Sequence, residues 1–268
     1  MPIAIRSSSA AIDNFEQAFD LISQAGADGV EASYDNARSL EAWAEHAAEL
    51  QALAAKHHLA LPSLNLAFLR DTPSLIRMDE ASIRARQAVR DALTVASAAG
   101  AGVVLLPFSG KNSIESETEL DTAADLLSEL VEGAEEVGVV LGIETTLNFS
   151  QQRYLMDRLG DPPCAKIYYD TADMQARKLD AATGIRDLGL SRIAQVHLKD
   201  VKLAEAKAPD YHVALGEGNV DFRAVASALA AIHYEGWVVL ETPPGDDPLA
   251  EARRNMKFAR ELFGPANH

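Results

Sequence analysis

Eight short apolar runs alternate with amphipathic segments along this chain, and that alternation constrains its fold more than any other feature. The runs are Ile3–Ile5, Gly29–Ala32, Leu61–Leu66, Gly102–Pro107, Val139–Glu144, Ala165–Asp170, Ile193–Leu198 and Gly236–Glu241. Each is almost continuously apolar, as a strand covered on both faces must be. The intervening segments predict helices over Asn14–Gln24, Leu40–His57, Glu80–Ala99, Glu117–Glu136, Ser150–Leu159, Ala181–Leu188, Phe222–Ile232 and Pro248–Phe263. Their apolar residues recur every three or four positions, as in Leu126, Leu127, Leu130, Val131 and Ala134. The joints repeat a glycine signature: Ala25-Gly26-Ala27 and Ala99-Gly100-Ala101, echoed by Val137-Gly138-Val139 and Tyr234-Glu235-Gly236. A glycine just past a helix accepts the left-handed backbone that ends it. Eight such units with right-handed crossovers close on themselves. The fold class predicted is α/β, a single-domain (β/α)8 TIM barrel over residues 1–268. A doubly wound open sheet is the main alternative. No Pro-, Ser- or Gly-rich linker divides the chain, and the longest segment without periodicity runs between Leu198 and Phe222.

Composition narrows the function classes. Lys and Arg number 24 against 40 Asp and Glu, giving a formal net charge of -16. A protein that grips a nucleic-acid backbone normally carries a basic face, so nucleic acid is not an expected partner. Cys164 is the sole cysteine, which excludes an internal disulfide and fits a reducing compartment. No early stretch has the build of a signal peptide and no apolar run approaches a membrane span. The cytoplasm is therefore the expected location. The surface helices show no apolar stripe marking an interface, which leaves homo-oligomer formation open. There is no glycine-spaced phosphate loop around Ser109-Gly110-Lys111 and no Gly-x-Ser-x-Gly nucleophile elbow.

Chemistry-bearing residues gather at the C-terminal ends of the last four runs. They are Glu144, Asp170, His197 and Glu241, spaced 26, 27 and 44 residues apart. In a parallel barrel such ends share one mouth. Three carboxylates and one imidazole form an oxygen-rich donor set for one divalent metal ion, with Mn²⁺, Mg²⁺ or Co²⁺ favoured and Zn²⁺ also compatible. Glu31 and Asn65 end strands two and three, where each is expected to hydrogen-bond substrate. Lys199 is expected to bind a substrate carboxylate, phosphate or hydroxyl, with a rim ion pair to Asp200 as the alternative. Arg70 and Lys111 lie in mouth loops that suit an anionic substrate. Trp43 and Trp237 read as packing residues.

At these positions the chain resembles a known family. Ile143-Glu144-Thr145, Tyr169-Asp170-Thr171, Val196-His197-Leu198-Lys199-Asp200 and Leu240-Glu241 are similar to the strand-end motifs of the xylose isomerase-like barrel superfamily. So is Leu215-Gly216-Glu217-Gly218-Asn219-Val220-Asp221-Phe222. The superfamily holds ketose 3-epimerases, inosose isomerases and dehydratases, hydroxypyruvate isomerase, dehydroshikimate dehydratase and endonuclease IV. The resemblance implies Glu144, Asp170, His197 and Glu241 as metal ligands, with Glu144 and Glu241 doubling as the catalytic acid–base pair. It implies an isomerase or epimerase of a small keto-sugar or related polyhydroxy carbonyl compound, moving a proton α to a metal-polarised carbonyl. The alternative is a lyase that dehydrates a keto-inositol or a dehydroshikimate-like acid.

Two departures bear on the assignment. Ketose 3-epimerases commonly carry a histidine three residues after the strand-six aspartate; here that position is Asp173, expected to meet a substrate hydroxyl. Asp210-Tyr211-His212 before Gly-Glu-Gly resembles a metal-binding segment of endonuclease IV, yet Ser63-Leu64-Asn65 and Leu106-Pro107-Phe108-Ser109 lack that enzyme's histidines. A trinuclear zinc cluster is therefore not expected, abasic-site endonuclease is the least favoured activity, and His212 reads as a mouth residue touching substrate.

Overall fold

The structure, a computed structural model, describes residues 1–11, 14–35, 43–71, 75–77, 79–205 and 207–264. Eight parallel strands close into a barrel in sequence order. They are β1 (Ile3–Arg6), β2 (Gly29–Ser33), β3 (Ala60–Asn65), β4 (Val103–Phe108), β5 (Val140–Thr145), β6 (Ala165–Asp170), β7 (Ile193–Leu198) and β8 (Val238–Leu240). The ring is sealed where β8 pairs with β1, Ile3 opposite Val238. The helices are α1 (Phe15–Gln24), α2 (Trp43–His57), α3 (Glu80–Ala99), α4 (Glu117–Val137), α5 (Phe149–Leu159), α6 (Thr171–Ala176), α7 (Ala181–Leu188), α8 (Phe222–Ala231) and α9 (Pro248–Phe263). The predicted start of the second helix at Leu40 lies outside the described residues, as does the side chain of Trp43.

Local chemistry sets most helix starts. Asn14, Asp79, Ser116, Asn148, Asp180, Asp221 and Asp247 each accept a backbone N–H of the first turn. Such a cap is worth about 1 kcal/mol. Gly100 and Gly138 end α3 and α4 in the left-handed conformation, as their joints predict. The fourth joint differs. His233 takes the positive φ there, while Gly236 stays outside that region and leaves room for the Tyr234 ring, 2.6 Å from where a Cβ would sit.

Two apolar layers result. Ala4, Val103, Leu105, Tyr168 and Val239 fill the barrel interior, with Trp237 packed against them. The larger layer lies between sheet and helices, and Cys164 is buried within it. The described residues between Leu198 and Phe222 are held by hydrogen bonds among themselves. Lys202 and Asp210 form an antiparallel bridge. Asp200 accepts the backbone N–H groups of Val201, Gly216, Gly218 and Val220, which fixes the Gly-Glu-Gly-Asn turn. No helix of the described residues is long and apolar enough to cross a membrane.

Candidate metal centre at the barrel mouth

Strand register brings the four strand-end residues together. Asp170 ends β6 directly opposite His197 of β7. Glu144 sits in β5, and Glu241 follows β8, its N–H donating to Leu198 O of β7. The donor atoms of Glu144, Asp170, His197 and Glu241 all lie within 4.8 Å of one another. His197 is wholly buried. Its Nδ1 is 2.8 Å from Glu144 Oε1 and 3.0 Å from Glu241 Oε2, while Nε2 is 3.0 Å from Glu31 Oε1.

The residues fit a divalent cation. Asp170 Oδ1 accepts the Asp173 N–H at 2.8 Å, but Asp170 Oδ2 is buried with no hydrogen-bond partner. A buried carboxylate oxygen without a partner is costly, and a cation at the centre of the cluster would satisfy it. The set is rich in oxygen and has one imidazole, suited to hard or borderline divalent ions.

Charge is crowded here. Burial drives the Asp170 carboxyl up to about 6, with Lys199 opposing and Glu241 and Glu144 reinforcing. Burial, then the Asp170 and Glu144 charges, hold Asp173 well above the carboxylate range. Burial alone would lower the His197 imidazolium, but the Glu31 and Glu241 charges and the bonds to Glu144 and Glu241 outweigh it and raise it well above 6.5. For Glu241, burial is outweighed by Lys199, Arg6 and His197, which hold it well below its ordinary value.

Lys199 and Arg6 contribute most to that last effect. Lys199 Nζ donates to Glu241 Oε1 at 2.8 Å and lies over the Tyr211 ring at 5.3 Å. Arg6, at the end of β1, donates to the same oxygen at 2.6 Å, to Asp35 Oδ1 at 2.9 Å and to Ser33 Oγ at 3.1 Å. The ion pair of Lys199 is thus with Glu241, because Asp200 is turned into its turn of backbone N–H groups.

The cluster opens into a cavity of about 500 Å³. Glu144, Asp170, Asp173, Lys199, His212 and Glu241 line it, as do Arg6, Arg70 and Tyr211. Glu31 and Asn65, expected to meet substrate, do not line it. Glu31 is fully buried beneath the cluster, and Asn65 Nδ2 donates to it at 2.9 Å. Lys111 also lies apart from this cavity and donates to Asp71 O. Asp210 and His212 are exposed at the rim, outside the cluster of four. Arg6 and Tyr211 escaped the sequence reading. Arg6 had a signal, since it directly follows the apolar run that ends at Ile5; Tyr211 had none.

Comparison with known proteins identifies the family of the barrel. A family profile described as a xylose isomerase-like TIM barrel matches residues 19–262. The chain belongs to this family. Within it, an inosose dehydratase of Geobacillus thermodenitrificans (strain NG80-2) is 30% identical over 188 residues, a match spanning 61% of this chain and 61% of that protein. A solved L-ribulose 3-epimerase superimposes with a TM-score of 0.77 at 20% identity, covering 100% of both chains. The IOLI protein, solved with a zinc atom bound, gives 0.77 at 18% identity, covering 98% of this chain and 96% of that one. At these identities the structural likenesses establish the shared barrel. Curated sequence relatives include inosose dehydratases and a putative L-ribulose-5-phosphate 3-epimerase of Escherichia coli (strain K12), 26% identical over 220 residues, 77% of this chain and 76% of that protein, and this barrel carries at its mouth a four-residue cluster that could hold a metal ion.

Proposed function

We propose that this chain is a divalent-metal-dependent isomerase or epimerase of a small keto-sugar or related polyhydroxy carbonyl compound. One observation carries the reading: four donor groups within 4.8 Å, one with an unpartnered buried oxygen and three of them lining a cavity of about 500 Å³. Glu144, Asp170, His197 and Glu241 would hold the ion, with Mn²⁺, Mg²⁺ or Co²⁺ favoured and Zn²⁺ compatible. A cation there supplies Lewis-acid polarisation of a substrate carbonyl. Glu144 lies in β5 and Glu241 directly follows β8, three strands further round the barrel. One carboxylate takes the proton α to the carbonyl and the other completes the transfer. Arg6 and Lys199 hold Glu241 in place, and the walls around Lys199, Asp173 and His212 offer hydrogen bonds to hydroxyls.

The test is turnover of a panel of keto-sugars and keto-inositols in D₂O with added Mn²⁺. Wild type should place solvent deuterium at the α carbon, and Glu144→Gln and Glu241→Gln should not. Wild-type turnover in both variants would sink the reading.

The inosose dehydratase relative supports a second reading on the same residues. After the α proton leaves, its bonding pair forms a C=C bond while the β C–O bond breaks, and the departing hydroxide takes a proton and leaves as water. A rising enone absorbance on a keto-inositol would establish this lyase course. Deuterium exchange or isomer formation without that absorbance would leave the isomerase reading.

A further inference from the structure

Glu31 is the carboxylate of this region that does not face the cavity. It lies in β2, where a register shift between Gly29 and Glu31 sets it opposite Ser63 of β3. It is fully buried, and both oxygens are saturated by the protein. Oε2 accepts from Ser63 Oγ at 2.8 Å and from Tyr168 Oη at 2.7 Å. Oε1 accepts from Asn65 Nδ2 at 2.9 Å and lies 3.0 Å from His197 Nε2. Three of the four partners are neutral donors. They sustain a buried carboxylate without requiring His197 to carry a charge.

The consequence falls on His197. An imidazole whose Nε2–H donates to a fixed carboxylate keeps its lone pair on Nδ1, the atom aimed at Glu144 and Glu241. The Tyr168 ring, 4.5 Å from the imidazole centre, packs against the same side chain. We propose that Glu31 is a positioning residue for the metal centre: on its platform of Ser63, Asn65 and Tyr168 it fixes the tautomer and orientation in which His197 binds the ion. This rests on reading the four-residue cluster as a metal site.

The experiment is titration of purified, metal-stripped protein with Mn²⁺, wild type against Glu31→Gln, with thermal melts of both metal-free proteins. Glu31→Gln should bind about 10–100-fold more weakly, the usual cost of losing such a partner. In Zn²⁺-loaded, ¹⁵N-histidine-labelled wild type, long-range ¹H–¹⁵N spectra should show His197 protonated on Nε2 alone. Affinity in Glu31→Gln within twofold of wild type, whatever the melting temperature, would overturn the proposal, as would an Nδ1-protonated His197. If Glu31→Gln does not fold, Tyr168→Phe and Ser63→Ala each remove one donor to Glu31 and leave His197 intact. Severalfold weaker Mn²⁺ binding in these supports the role and unchanged binding contradicts it. Wild type that binds no Mn²⁺ fails the metal reading itself, a result distinct from equal binding by both proteins.

Discussion

The two ends of this barrel handle charge in opposite ways. At the base, Asp28 meets one partner of opposite sign: Arg260 donates to its two oxygens at 2.6 and 2.7 Å, and the Ile3 N–H adds a third bond at 2.7 Å. At the mouth, five acids (Glu31, Glu144, Asp170, Asp173 and Glu241) crowd around Arg6, Lys199 and His197. The base is a closed ion pair that ties α9 to the start of the barrel. The mouth holds acids in surplus, with a buried oxygen on Asp170 left over. Groups arranged for folding alone would be paired off as they are at the base. That surplus at the C-terminal face is what supports the proposal of a cation site there.

Variants at the two ends should therefore separate activity from stability. The largest effect is expected for Glu144→Gln, which should lower turnover of an identified substrate by about 10²–10⁴-fold, the range for a lost acid–base group. Arg260→Ala, assayed alongside, should turn over as wild type does. Next comes Arg6→Met, which withdraws one of the two cations from buried Glu241. Its cost should be about 3 kcal/mol, at the low end for a broken buried pair because Lys199 remains, lowering the melting temperature by roughly 10 °C. Smaller, and of opposite sign, is Asp170→Asn. Removing a crowded charge should raise the metal-free melting temperature by about 2–4 °C, the equivalent of about 1 kcal/mol, while Mn²⁺, which should stabilise wild type, should not stabilise the variant.

The smallest effect belongs to the base. Burial would raise the Asp28 carboxyl, but Arg260 and the Ile3 N–H outweigh it and hold it below 3.8. A carboxyl whose native value is depressed stabilises the fold above its unfolded value and loses that contribution as pH falls through the native one. Asp28→Asn should thus melt slightly lower than wild type at pH 7, by the equivalent of about 1 kcal/mol or less because the pair is partly exposed. The difference should shrink below about pH 4 in paired thermal melts. A gap that persists in acid would show that the pair is not what ties the base together.

Much of this architecture was legible in the sequence. Parallel strands covered on both faces must be apolar throughout, so all eight announce themselves, with boundaries off by one or two residues where the ladder stops. The proposed metal ligands were legible because they end those runs. What the runs do not encode is how barrel closure and strand stagger set height and neighbour. Glu31 and Glu144 both close predicted strands, yet Glu144 lines the cavity and Glu31 lies beneath it. Lys199 and Asp200 are adjacent in sequence, yet Lys199 pairs with Glu241 just past the next strand. Arg6 was passed over because it follows the apolar run that ends at Ile5, although its position in the barrel ties β1, β2 and the residue after β8 together.

The central claim is that the surplus of acid at the mouth holds one divalent cation. The most direct measurement is elemental analysis of purified protein by plasma mass spectrometry, wild type beside Asp170→Ala, after reconstitution with Mn²⁺, Mg²⁺, Co²⁺ and Zn²⁺ in turn. The expected result is about one ion per chain in wild type, lost in the variant, because Asp170 is one of the four proposed ligands. Wild type that retains no ion after any reconstitution, or a variant that retains as much as wild type, would contradict it.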